Sequence, residues 1–428
     1  MTWPMMFGIL SLMSFQLVDS AFIGQLGVLP LAAQGFTMPM QMVIIGLQVG
    51  LGIATTSVIS RVIGANQITR AKQLGGLVIV VGAVGVILIC LLIWFSRGLI
   101  LNLLGAPENV FPVIDGYWPS WLLSAWAGAM LYFAYSLCRS NGNTMLPGIM
   151  MVATSIMNMV LDPIFIFTFD LGLPGAAWAT VVSFSIGLLV VYPTVYKRAW
   201  MSFQWHDLDV KRSVKELTGV MAPAMMSQLL PPVSSMFATK LIASFGATAI
   251  AGWALASRIE FFSIVTVLAL TMSMPPMIGR MLGAKECDKI QVLVNIAVKF
   301  VLVLQLTIAA ILFMSSGLIS DLMSSNAQVS EVLAMYLVWG PISLGSLGVC
   351  MLMVSICNAL GMPMRALLIS SLRLFVCFLP MLWLGATFAG IQGLFIGAMA
   401  GNLAAGVMAW VMYRQAIKRT NKALVSQK

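Results

Sequence analysis

Two aspartates stand inside long apolar stretches, Asp19 in the run from Pro4 to Leu26 and Asp162 in the run from Met145 to Phe169. A carboxylate near a bilayer centre costs roughly 2.5–3.5 kcal/mol, so it normally faces an internal cavity and marks an ion or substrate path. Asn158 and Asp162 are four residues apart and share a helix face, with Ser155 seven before Asp162 on roughly the same side. Pro163 follows at once and removes one backbone donor. Thr180 offers a hydroxyl at comparable depth, counted from the nearest loop. Carboxylate, amide and hydroxyl oxygens are the ligands that Na⁺ takes, and buried carboxylates also take protons. The same set could instead lock helices together by hydrogen bonds.

Other polar residues carry less. Gln34, Gln41 and Gln48 recur every seven residues along one helix face, either lining a cavity or forming an interhelical seam. Lys240, Arg258 and Glu260 are a possible polar set in the second half, though Arg258 and Glu260 are two apart and do not face each other on a straight helix. Structural pairing or snorkelling suits them better than a substrate role. The 33 methionines and 10% aromatic content suit a pocket that adapts to many apolar shapes. The six cysteines (Cys90, Cys138, Cys287, Cys350, Cys357 and Cys377) have no CxxC spacing and read as small packing residues. The single histidine, His206, sits in a polar loop. Walker, GxSxG and HExxH patterns are missing, so ATP-driven transport and hydrolysis lack support. No cofactor is expected, and no metal beyond possible Na⁺.

The elements that position these residues must lie in a membrane. Only 8% of the 428 residues are charged and 60% are hydrophobic, with a mean hydropathy of +1.00. A soluble domain carries about 25% charged residues. Apolar runs of about 20 residues, without strand-type alternation, favour helices over a barrel. Twelve spans are expected, at 3–26, 31–59, 74–95, 116–137, 145–169, 175–196, 218–244, 248–276, 290–315, 333–356, 366–387 and 391–412. The first lacks a basic leader and carries Asp19, so it reads as a true span and not a signal peptide.

Charge then orients the chain. Alternate loops and the C-terminal tail hold 18 of the 23 basic residues, among them Arg61, Arg70, Lys72, Arg139, Arg198, Arg280, Arg365 and Lys428. The opposite loops hold Arg97 beside Glu108, Asp115, Asp170, Asp321 and Glu331. By the positive-inside rule both termini are cytoplasmic, in a multi-pass cell-membrane protein. The net charge of +10 is spread over these loops, which argues against a nucleic-acid partner. The expected partners are the lipid bilayer and small organic molecules, with the monomer as the working unit.

The sequence repeats. Gly27 with Gly246, Arg61 with Arg280, Tyr117 with Tyr336 and Gly142 with Gly361 share an offset of 219 residues, and Gly172 with Gly390 one of 218. The domains expected are an N-terminal lobe over 1–196, an inter-lobe cytoplasmic loop over 197–217, a C-terminal lobe over 218–413 and a basic tail over 414–428. The fold class is an all-α polytopic membrane protein, twelve transmembrane helices in two six-helix pseudo-symmetric lobes. At the same offsets Asp19 and Asp162 face Ala238 and Pro380 or Met381, so the acidic pair belongs to one lobe.

Five stretches carry a family resemblance: Val18–Gly24, Gly105–Asn109, Arg139–Asn143, Asn158–Pro163 and Gly172–Thr180. They resemble multidrug and toxic compound extrusion (MATE) transporters, over nearly the whole chain. The resemblance implies a central cavity and secondary active export of organic, often cationic compounds against H⁺ or Na⁺. Within the family the chain is similar to the DinF-like branch. That likeness implies cation coupling at Asp19, Asn158, Asp162 and Thr180, a hydrogen-bonding role for Tyr117 and a helix bend at Pro4. The acidic positions of the NorM-like branch fall on Pro231 and Val349, so its C-lobe cation site is not expected. Such transporters usually carry a cytoplasmic lead, and a truncated or misassigned start is expected here. A lipid-linked-sugar flippase of the same superfamily is the rival reading, favoured by Lys240 and Arg258. A membrane-embedded enzyme is the other, for which no nucleophile–base or metal set is visible.

Overall fold

A computed structural model describes residues 2–324 and 326–425; Lys428 of the basic tail lies outside them. Among the described residues all regular structure is helical. The chain divides into two units, Met1–Met225 and Met226–Lys428.

The first unit contains α1 (Thr2–Gln25), α2 (Val28–Gly64), α3 (Ile68–Phe95), the short α4 (Arg97–Leu103), α5 (Phe111–Ser140), α6 (Met145–Pro163) and α7 (Gly172–Lys197). A π-helical turn over Ile164–Thr168 extends α6. Helix α8 (Val210–Ala243) starts in this unit and ends in the next. The second unit continues with α9 (Ala247–Ser263), α10 (Val265–Gly283), α11 (Cys287–Met314), α12 (Ser316–Met323), α13 (Ala327–Trp339), α14 (Leu344–Ala359), α15 (Pro363–Ser371) and α16 (Leu379–Val425). A second π-helical stretch, Leu372–Phe378, joins α15 to α16, and α16 folds back on itself at Ala389–Gly390.

Among the described residues, ten segments are long and apolar enough to cross a membrane by length and composition alone. The fold supplies two more: α8, whose Ser, Gln and Lys residues lower its hydropathy, and the second arm of α16 after the fold at Gly390. The protein is thus a twelve-span helical membrane protein in two lobes.

The backbone keeps the sequence repeat. Helices α3 and α11 are both 28 residues long, and both their ends differ by 219. Helix α2 is matched end for end by α9 and α10 taken together. Gly27 and Gly246 enter these helices at φ 109° and 98°, and Gly142 and Gly361 turn at 82° and 76°, a left-handed region open to glycine without steric cost. The repeat fails at three breaks confined to the second unit: Ile264 between α9 and α10, the 3₁₀ turn Pro341–Ser343 between α13 and α14, and the early π-helical stretch.

Close packing uses glycines as sockets, as membrane helices do where hydrocarbon gives no drive for association. Gly82 on α3 receives the Phe133 ring, Gly128 on α5 the Phe184 ring, and Gly187 on α7 the Leu131 side chain. Gly8 on α1 meets Met151 on α6, and Gly148 on α6 lies directly against the Pro4 carbonyl. In the second unit Trp253, Tyr336 and Phe395 stack together, Trp253 and Phe395 nearly parallel at 6.2 Å.

The connector after α7 is strapped down. Ser202 N–H donates to the Lys72 carbonyl at 2.9 Å, Gln73 Nε2 to the Gln204 carbonyl at 2.9 Å, and Trp205 Nε1 to the Gln73 carbonyl at 3.2 Å. Gly75 and Gly76, having no side chain, let this backbone lie on α3. Residues 210–217, expected as loop, are the first two turns of α8, because Asp209 Oδ1 accepts from Arg212 N–H at 2.9 Å and caps it. Glu216 in those turns pairs with Arg70 at 3.1 Å and Arg61 at 3.7 Å.

Candidate functional site

Five helices of the first unit bring their polar residues to one level. Asp19 lies six residues before the end of α1, and Asp162 six before the end of the π-helical turn. Gln34 and Tyr117 lie six residues after the starts of α2 and α5, and Thr180 eight after that of α7. At 1.5 Å per residue this is about 9–12 Å below the same helix ends.

The local sequence explains why α6 presents its oxygens there. Pro163 offers no N–H to the turn before it, and the chain widens into a π turn in which Phe169 N–H donates to the Ile164 carbonyl at 2.9 Å. Gly175 allows the start of α7 to pack on the Phe165 carbonyl of that turn. Thr180 is thereby held beside Asn158.

Asp162 is 0% exposed, Asn158 1% and Ser155 2%. With its amide nitrogen toward Asp162, Asn158 donates to both carboxylate oxygens, at 3.1 and 2.9 Å. Its oxygen then accepts from Thr180 N–H at 3.1 Å and Thr180 Oγ1 at 2.9 Å. This orientation satisfies every partner. The Thr180 hydroxyl also lies 3.0 Å from the Ala176 carbonyl, so one proton serves two acceptors. Gln34 Nε2 donates to Asp19 Oδ2 at 3.4 Å. Asp19 is within electrostatic reach of both Asp162 and the buried Tyr117. Ser155 Oγ is buried without a hydrogen-bond partner among the described residues.

The electrostatics are one-sided. Among the described residues no Lys or Arg pairs with Asp19 or Asp162. Two neighbouring carboxylates whose hydrogen bonds among the described residues come from the Gln34 and Asn158 amides leave negative charge uncompensated at low dielectric. A proton or a Na⁺ would neutralise it, and the available oxygens are hard ligands suited to Na⁺. No group of three or more His, Cys, Asp or Glu gathers among the described residues, so the arrangement is not that of a multi-carboxylate metal centre. Asp19 and Thr180 are half-buried, which leaves the cluster a way out of the packed interior.

The remaining candidates are placed elsewhere. Gln41 and Gln48 are half-buried one and two heptads farther along α2, about 10 and 21 Å beyond Gln34. Helix α1 is continuous through Pro4, which sits in its first turn. Lys240 and Arg258 are exposed and form no ion pair among the described residues. Arg258 instead edges a pocket of about 410 Å³ with Phe262 and Leu312. Glu260 faces inward, where Tyr336 Oη donates to its Oε2 at 2.8 Å and Arg373 is within electrostatic reach. Arg373 and the Tyr336 bond escape a reading by periodicity, because their helices are far apart in sequence. The signal that could find them is the offset pairing of Tyr336 with Tyr117, together with a lone arginine inside an apolar span.

The fold and site define a polytopic membrane protein of two repeated lobes, with a buried acidic cluster in the first. The MatE family model matches residues 4–164 and 223–384, one segment in each lobe. The chain belongs to the MatE (MATE) family of membrane transporters. It is 63% identical to the Vibrio cholerae MATE transporter VcmN, crystallised in a bent form, with a TM-score of 0.97 over 98% of this chain and 96% of that one. It is 29% identical to a Shewanella oneidensis FAD transporter, over 96% of this chain and 92% of the relative. It is also 24% identical to the multidrug export protein MepA of Staphylococcus saprophyticus, over 91% and 87%.

Proposed function

We propose that the protein is a secondary active efflux transporter that exchanges organic, often cationic compounds for H⁺ or Na⁺ by alternating access. The observation that carries this reading is the pair of buried Asp162 and half-buried Asp19 in one lobe, with no basic partner among the described residues. A cation entering from outside neutralises the pair, shifts or bends α1 against α6, and so binds the two transport states with different affinity. The MepA relative supports multidrug compounds as the cargo. The acidic cluster in the N-terminal lobe supports a DinF-like arrangement, with Asp19, Asn158, Asp162 and Thr180 as the coupling residues. In this reading the monomer is the working unit, in the cell membrane, with both termini cytoplasmic. Each net positive charge moving down 100 mV releases roughly 2.3 kcal/mol, which sustains a gradient of about fiftyfold for an uncharged cargo.

The test is export of a cationic dye from proteoliposomes under an imposed H⁺ or Na⁺ gradient. Asp19→Asn and Asp162→Asn are each expected to slow gradient-driven export at least tenfold. Wild-type rates in both variants would sink the reading.

A second reading is favoured by the FAD transporter relative, which spans nearly the whole chain. Here the cargo is a flavin dinucleotide, and the same coupling site drives it. Gradient-driven movement of FAD in the same vesicles, without dye export, would establish it.

A further inference from the structure

At the end of the first unit where α2, α5 and α7 finish and α3 begins, a pocket of about 290 Å³ is lined by Ile63, Ile68, Lys72, Asn141, Arg198 and Trp200, among others. Its charge is of one sign. Among the described residues, neither Lys72 nor Arg198 forms an ion pair with a carboxylate, and the neighbouring Glu216 is taken by Arg61 and Arg70. Arg198 Cζ lies over the Trp200 ring at 5.1 Å, which favours keeping the cation at the pocket wall. Between them Ala199 is held in a left-handed conformation, φ 52°, unusual for a residue with a side chain. Asn141 uses one amide N–H on the Leu137 carbonyl at 2.9 Å and keeps the other. The floor is aliphatic, with Ile63 and Ile68.

The repeat shows that this chemistry is not needed to close a helix bundle. At the equivalent positions of the repeat, offset by 219 for Lys72 and Asn141 and by 218 for Arg198, stand Gln291, Leu360 and Ala416. Neither cation is kept at these positions of the second unit, and the amide stands only at Gln291, in place of Lys72.

We propose that this pocket binds the phosphate of an anionic phospholipid from the cytoplasmic leaflet. Two unpaired cations and an amide N–H meet the phosphate oxygens, and the indole sits at headgroup depth, as tryptophan does at interfaces. The acyl chains stay in the bilayer against the aliphatic floor. The placement rests on the cytoplasmic orientation of this loop set, independently of what is transported. A cytoplasmic leaflet rich in anionic lipid gives each such cation favourable work, amounting to roughly fivefold in affinity.

The full-length protein in detergent is titrated with phosphatidylglycerol or phosphatidylcholine, and bound lipid is counted by native mass spectrometry. Wild type is expected to hold one phosphatidylglycerol in preference to phosphatidylcholine. Lys72→Gln with Arg198→Gln should lose that preference, about fivefold for each side chain. Lys72→Arg with Arg198→Lys should keep it, separating lost charge from lost folding. Lys211→Gln with Lys215→Gln, exposed cations of the same loop set, should also keep it. An unchanged preference in the Gln pair, or an equal loss in the Lys211 and Lys215 control, overturns the proposal. So does tight binding of inorganic phosphate with no preference among lipids, which would make the occupant a soluble phosphate compound.

Discussion

The acidic cluster depends on a relay of short polar contacts. Asn158 joins the Asp162 carboxylate to Thr180, so each residue fixes the next. Thr180→Val keeps the shape but leaves the Asn158 oxygen without its hydroxyl partner. The backbone N–H of position 180 still reaches that oxygen, so one hydrogen bond worth about 0.5–1.5 kcal/mol is lost, and this variant should melt lower and export dye more slowly than wild type. Thermal unfolding in detergent, followed by the vesicle assay, checks both. In the other lobe, Tyr336→Phe removes the donor to Glu260, a bond to an acidic group worth about 1.5–3 kcal/mol. There a lower melting temperature is expected, while the response to an imposed ion gradient persists. A Tyr336→Phe protein that loses its ion response would place coupling in both lobes. The sequence alone exposes Asp19, Asp162 and Asn158 because charge and amide are conspicuous in apolar surroundings. It does not show that Glu260 meets Tyr336, since a pairing across 76 positions is made by packing rather than by spacing.

Helices keep their places here by what glycines leave out. Gly148 lies against the Pro4 carbonyl, so a methyl group at that point must push α1 away from α6. Gly24, on α1 itself, has open space where its side chain would be. Gly148→Ala is therefore expected to destabilise the protein and impair export, whereas Gly24→Ala should be neutral or stabilise by up to about 1 kcal/mol through helix propensity. Comparing their melting temperatures tests the packing argument directly. The limits of α11, the start of α2 and the end of α3 are legible in sequence to within three residues. Helix α2 runs five residues past its expected end and α3 starts six before its expected one, because their polar turns there are helical too. The breaks at Ile264 and Pro341–Ser343 and the two π stretches are not legible. Only Pro163, before the first π stretch, and Pro341, at the 3₁₀ turn, leave a mark in the local sequence.

On the scale of the molecule, the two lobes share a backbone plan but differ in charge. The acidic pair and the cationic pocket both lie in the first unit, and both have uncharged counterparts in the second. Duplication thus preserves the helices while each copy keeps its own chemistry. The sequence places the join between the halves in the long polar loop over 197–217. The strap over α3 holds that stretch in place. Its backbone is bound to α3 through Lys72 and Gln73, and the cap at Asp209 starts the next helix almost at once. To a protease, then, the longest polar connector in the chain is poor bait. Cleavage needs several residues drawn out into an active-site groove, and here that means peeling them off a helix first. Brief trypsin treatment of the folded protein should spare Lys197 and Arg198. Replacing Gly75 and Gly76 by valine should lift the strap and open those bonds to rapid cutting, which peptide mapping would reveal.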